Sequence, residues 1–165
     1  MTFPRASALL GAVPRLSTGI SDEGNLMTPD EVGKLRGAIR SLKSKFPQLM
    51  VQVVLHAFPA EHPFGLHAFW LFNAASFSGD TNRGANNHTV MLVVDPKRQE
   101  SAVVLGYGLE SQVGNEVLDH LQELAGPAWK AGRWADGLLT VLDGLDRLFE
   151  SIAHVHEFDH ASGEF

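Results

Sequence analysis

The chain contains no cysteine. That absence removes disulfide frameworks, thiolate nucleophiles, Cys-ligated zinc and iron–sulfur clusters together, while fitting any redox compartment. Positive charge is scarce as well: 13 Lys and Arg stand against 19 Asp and Glu, a formal net charge of -6, and no stretch concentrates the basic residues. Attachment to nucleic-acid phosphates or to anionic lipid is therefore not expected. No run approaches the roughly 18 apolar residues that a membrane span requires. The weakly apolar stretch 6–13 is cut short by Pro14 and Arg15, at the bare minimum for a signal-peptide core, so 1–19 reads as an N-terminal arm and the chain as cytoplasmic by default. What remains, 165 residues of which 44% are hydrophobic, suits one soluble domain around one core.

Periodicity divides that domain. Thr28-Pro29-Asp30-Glu31 places a capping threonine, a helix-starting proline and a glutamate three residues after the cap, which is a capping box. Val32, Leu35, Ile39 and Leu42 follow at helical steps until Pro47, predicting an amphipathic helix near 29–45. The continuous apolar run 49–55 is of strand length and rich in β-branched residues, as in a strand covered on both faces. A proline-containing loop leads to a second helix over 66–77, with Leu66, Phe69, Trp70 and Phe72 expected to pack in the core. Residues 78–87 form a polar loop, and 90–94 and 102–105 flank Asp95-Pro96-Lys97-Arg98-Gln99-Glu100 as an antiparallel hairpin. A third helix over 116–124 is expected to stop at Gly126-Pro127. A fourth opens at Trp134 with the stripe Leu138, Leu142, Leu145, Phe149 and Ile152. The order α, β, α, β, β, α, α predicts an α/β protein, a single-domain α/β/α sandwich with a small mixed central sheet that includes a β-hairpin.

Few motifs carry chemistry. Gly106-Tyr107-Gly108-Leu109-Glu110-Ser111 leaves a strand and enters a helix, but Ser111 replaces the third glycine of a dinucleotide fingerprint and no parallel strand follows. The pair reads as a glycine turn, and no nucleotide is expected. Gly79 and Gly84 have phosphate-loop spacing without the required Lys and Ser/Thr. His156-Glu157-Phe158-Asp159-His160 matches the zincin pattern, yet no third ligand follows it, and with His154 it reads as a histidine-bearing tail, 151–165. His56 ends the first apolar strand and faces either a pocket or the core.

The hairpin has a further consequence. The start of its first strand and the end of its second share one edge, so 78–88 should neighbour 106–115. Asp80, Asn82, Asn86 and Asn87 on one loop, with Glu110 and Asn115 after the other, offer oxygen ligands suited to calcium or magnesium. The same residue types also occur in loops for turn geometry alone.

The chain as a whole resembles the TPM domain family. The resemblance runs from Ile20-Ser21-Asp22-Glu23-Gly24-Asn25-Leu26-Met27 and the capped helix through the strand at 49–55, the Trp70 helix and the hairpin. It continues with Gly106-Tyr107-Gly108-Leu109-Glu110 and the closing Pro127, Trp129, Gly132 and Gly137-Leu138-Leu139, and so covers about 20–150. It implies an α/β/α sandwich. The family includes a thylakoid-lumen acid phosphatase, accessory proteins of membrane receptors, and domains that bind divalent ions near positions corresponding to Asp22 and Glu110. Two positions depart from its pattern: Asn115 stands where an aspartate usually follows the glutamate, and His88-Thr89 replaces Asn-Gly. The resulting expectation is a binding or accessory domain with a weak divalent-cation site, calcium or magnesium, on Asp22, Asp80, Glu110 and Asn115, serving a protein partner. The alternative is a metal-assisted acid phosphatase acting on a small phosphorylated substrate.

Overall fold

The computed structural model describes residues 19–74 and 88–162, without the side chains of Ala74, Tyr107 and 154–162. Along the chain run β1 (Ile20–Asp22), α1 (Pro29–Lys45), β2 (Met50–Leu55), α2 (Phe64–Ala74), β3 (Thr89–Asp95), β4 (Glu100–Leu105), α3 (Tyr107–Glu110), α4 (Asn115–Lys130) and α5 (Trp134–Ser162). The strands form one sheet in the order β1-β2-β3-β4. The first three are parallel, and β4 returns antiparallel beside β3. The expected mixed sheet with helices on both faces is therefore present, with β1 and α3 added. Three residues are too few to show a strand period, and β1 exists because its neighbour recruits it. Val53 N–H donates to the Gly19 carbonyl at 2.8 Å, and the buried Gln52 side chain accepts from Gly19 N–H at 3.2 Å.

Successive strand residues point to opposite faces, and both faces of β2 and β3 are covered. Val51, Val53, Leu55, Val90, Leu92 and Val94 pack with Leu35 and Leu42 of α1, Leu118, Leu121 and Ala125 of α4, and Leu138, Leu142, Leu145 and Phe149 of α5. On the other face Val54, Met91 and Val93 meet a smaller cluster of Phe58, Phe64, Leu71 and Phe72.

Local signals explain the helix ends. Glu31 N–H donates to Thr28 Oγ1 at 3.2 Å and Thr28 N–H to Glu31 Oε1 at 2.9 Å, completing the capping box. At the other end of α1, Lys45 donates to Asp146 and Glu150 of α5. Gly126-Pro127 does not stop α4, which continues to Lys130. Proline here removes only one bond near the helix end, and Trp129 beyond it is buried and donates to the Trp134 carbonyl. The stop is Gly132, at φ +76°, the left-handed residue that commonly closes a helix. The α4–α5 contact is intimate: a Cβ on Gly137 would lie 2.2 Å from the Trp129 indole, and one on Gly144 would lie 2.2 Å from Leu121.

The aromatic face of α2 needs a correction. Phe72 packs inward as expected, together with Phe64 and Leu71, whereas Leu66 is exposed and Phe69 is 65% accessible. The hydrophobic pattern of α2 is nearly unbroken, so periodicity could not show which side the sheet would take.

Candidate functional site

The two edges of the sheet differ. At one edge, where β2 and β3 begin and β4 ends, Met50 N–H donates to the His88 carbonyl at 3.0 Å and Gly106 N–H to the Thr89 carbonyl at 2.9 Å. The end of the 78–88 loop thus lies beside the start of the 106–115 segment. Asp80, Asn82, Asn86 and Asn87 lie outside the described residues.

On the described side of this rim, Gly106 precedes α3 at φ -68° and ψ 164°, a conformation open to any residue. The glycine turn expected there is therefore not a backbone requirement. Glu110 N–H closes α3 onto the Gly106 carbonyl at 2.9 Å. The Glu110 carboxylate is exposed and takes part in none of the hydrogen bonds or ion pairs among the described residues. Asn115 is exposed at the start of α4, behind a Gly114 cap that offers no side-chain bond. Thr89, fully buried at the start of β3, has a hydroxyl with no hydrogen-bond partner among the described residues.

Asp22 is not at this rim. It ends β1 in register with Leu55, which pairs with Val94. Thr89 lies five residues back along β3, about 17 Å at the usual rise, and β1 and β4 are separated by three strand spacings of about 4.8 Å. The sheet keeps Asp22 and Glu110 on opposite edges. Asp22 has local work: Oδ1 accepts from Leu26 N–H at 3.0 Å and Oδ2 from Met27 N–H at 2.9 Å. Those bonds hold the turn into α1, with Asn25 at φ 50°. Among the described residues no group of three or more His, Asp or Glu side chains is close enough to hold a metal. The backbone of α5 continues through His156 and His160, whose side chains lie outside the described residues.

The opposite edge, where β1, β2 and β3 end, is densely bonded, and sequence reasoning missed most of it. Asp95 is 0% exposed. Its Oδ1 accepts from Lys97 and Arg98 N–H at 3.0 and 3.1 Å, and its Oδ2 from Phe58 N–H at 3.0 Å. The Arg98 guanidinium pairs with it at 3.5 Å. The available signal was an aspartate opening a hairpin turn, which suggests a local turn and not a tie to the distant loop at 58. His56 Nδ1 lies 2.5 Å from Glu23 Oε2. His67 is buried at the start of α2. Burial pushes its pKa down most. A hydrogen bond to the Pro59 carbonyl opposes that, Arg98 and His62 depress it further, and Asp95 raises it.

Among the described residues no helix is long and apolar enough to cross a membrane. None of the curated proteins matches the chain. Solved structures share its fold. One is the BA42 protein of the psychrophilic bacterium Bizionia argentinensis, 16% identical, TM-score 0.64, with 80% of this chain and 87% of that one covered. The N-terminal domain of a P. gingivalis protein is 17% identical, TM-score 0.62, covering 84% and 94%. The N-terminal domain of cg2496 from Corynebacterium glutamicum is 14% identical, TM-score 0.61, covering 79% of each chain. The TPM domain model matches residues 20–148, a span that begins with β1, takes in the whole sheet and ends within α5. By that match, and by the fold it encloses, the chain belongs to the TPM domain family.

Proposed function

We propose that this TPM domain acts as a binding or accessory module for a protein partner, and that the rim beside Gly106 holds a divalent cation weakly. Glu110 and Asn115 would supply oxygen from the described side and Asp80 from the loop. The observation that carries the reading is the Glu110 carboxylate, exposed and free of hydrogen bonds and ion pairs among the described residues, whereas Asp22 has both oxygens occupied by backbone N–H groups. The Thr89 hydroxyl at the same edge, without a partner among the described residues, supports it, because buried polar groups ordinarily find partners. Carboxylate and amide oxygens suit calcium or magnesium, and an amide in place of a second carboxylate lowers the charge and hence the affinity. Asp22 has no part in this site.

The test is a calcium and a magnesium titration followed by the backbone amide resonances. Saturable shifts at 106–115 that vanish in Glu110→Gln are expected, with no response at 22–27. No shift at about millimolar metal, the weak end of known calcium sites, would remove the cation. An aryl-phosphate assay in the same series distinguishes binding from hydrolysis. Turnover lost both without metal and in Glu110→Gln would make the module an enzyme, while turnover indifferent to both would leave the binding reading in place.

A further inference from the structure

The edge away from the rim contains a second arrangement, independent of any cation. His67 is 2% exposed. Its ring stacks on Phe58 with centroids 5.1 Å apart, and its Nε2 lies 3.1 Å from the Pro59 carbonyl oxygen. Phe58 also meets His56 and Phe64 edge-on, at 4.7 and 6.0 Å. The Pro59 carbonyl accepts a second bond from Arg98 Nη2, and Phe58 N–H is held by Asp95. The 57–63 connection between β2 and α2 is thus held from three directions, and its aromatic packing belongs to the smaller core, distinct from the larger one across the sheet.

We propose that His67 is a proton-sensitive pin, which on taking a proton leaves Phe58 and Pro59 and frees the 57–63 connection with the first turn of α2, while β3 and the larger core stay formed. The charges facing His67 account for this. From the hairpin turn come the Arg98 guanidinium and the Asp95 carboxylate, and from the connection itself comes His62, its ring 6.3 Å away. A cationic His67 would be buried beside Arg98. Among the described residues the single facing carboxylate already accepts three N–H groups and pairs with that arginine. A buried charge without a free counter-charge is strongly disfavoured. The sign follows. A released histidine takes its proton near the ordinary 6.5, and the pinned one only at lower pH. As pH falls below 6.5 the released form therefore binds more protons and gains on the pinned one, and above 6.5 the pin holds fully.

Hydrogen exchange at about pH 7.5 and 5.5, corrected for intrinsic rates, tests this together with NMR titration of the His67 ring. The amides of Phe58, Leu66 and His67, which donate to Asp95 and to the Pro63 carbonyl, should lose about tenfold of their protection, the most that one pH unit below 6.5 can drive. Amides of β3 should lose none. His67→Phe keeps the ring and its burial without the proton and should abolish the response, whereas His62→Gln should retain it. The proposal fails if the His67 ring titrates at or above 6.5, if the response persists in His67→Phe, or if β3 loses protection in step. The ring titration is read on the unaltered protein, so a poorly folded variant cannot mask the result.

Discussion

Three carboxylates at the two edges of one sheet have three different fates. Asp95 is wholly buried, with three backbone N–H groups and an arginine around it. Asp22, on the same edge, is partly buried and caps the turn into α1 with both oxygens. Glu110, on the other edge, is exposed and meets no donor among the described residues. Composition and local motif treat these residues as one kind. What separates them is the density of unsatisfied N–H groups that the topology brings within reach. Strands ending together with two tight turns present many such donors, and a carboxylate placed there becomes structural. The short α3 leaves the Glu110 side chain exposed, with no partner among the described residues.

The sharpest way to break this comparison is at Asp95. Asp95→Ala leaves Phe58, Lys97 and Arg98 N–H without their acceptor and strips Arg98 of its counter-charge. Removing one partner of a buried pair costs about 3–5 kcal/mol, so the urea midpoint should fall steeply. A loss below about 1 kcal/mol, the range of a surface ion pair, would show that water replaces the carboxylate freely and that this edge is not closed. Asp22→Ala comes next. It removes a side-chain cap over two amides at a partly exposed turn, for which about 1–2 kcal/mol is expected. The calcium response at the rim should be unchanged. Loss of that response in Asp22→Ala would contradict the separation of the two edges.

Much of this was legible in the residues. The capping box at Thr28, the covered strands β2 and β3, and the hairpin all rest on local signals whose geometry is fixed within a few residues. The hairpin alone carried the argument that placed 88 beside 106. The partner of Phe58 N–H and the strand character of Ile20-Ser21-Asp22 were not legible, because both depend on pairing between segments tens of residues apart. Asp22 was not placed by the hairpin argument for the same reason: family resemblance associates it with Glu110 by type, while register puts it at the far end of the sheet. The stop of α4 was misread at Gly126-Pro127 because the burial of Trp129 against α5 outweighs one lost helix bond.

Smaller effects sharpen the contrast further. Glu23→Gln removes the negative charge beside His56, but Glu23 is 71% exposed, and pairs of that kind contribute less than about 1 kcal/mol and fade in salt. The midpoint in about 1 M salt, where charges are screened within about 3 Å, should therefore be the same with and without the substitution. A difference that survives salt would mean that the pair is sequestered, and would place Glu23 with Asp95 among the structural carboxylates.

The smallest expected change is also the most discriminating. Glu110→Gln keeps the shape of the side chain and removes only its charge. An exposed carboxylate with no partner among the described residues is expected to change stability by no more than about 0.5 kcal/mol either way, so the metal-free variant should unfold at the midpoint of the parent. If the rim binds a cation, a difference must appear when calcium is added, because a ligand stabilises only the state that binds it, by RT ln(1 + [L]/Kd). At a concentration about ten times Kd that is about 1.4 kcal/mol for the parent, and it should be absent from the variant. Equal stability without metal, joined to unequal stability with it, separates a binding carboxylate from a structural one. A variant already weakened without metal would instead place Glu110 alongside Asp22 as a residue that holds the fold.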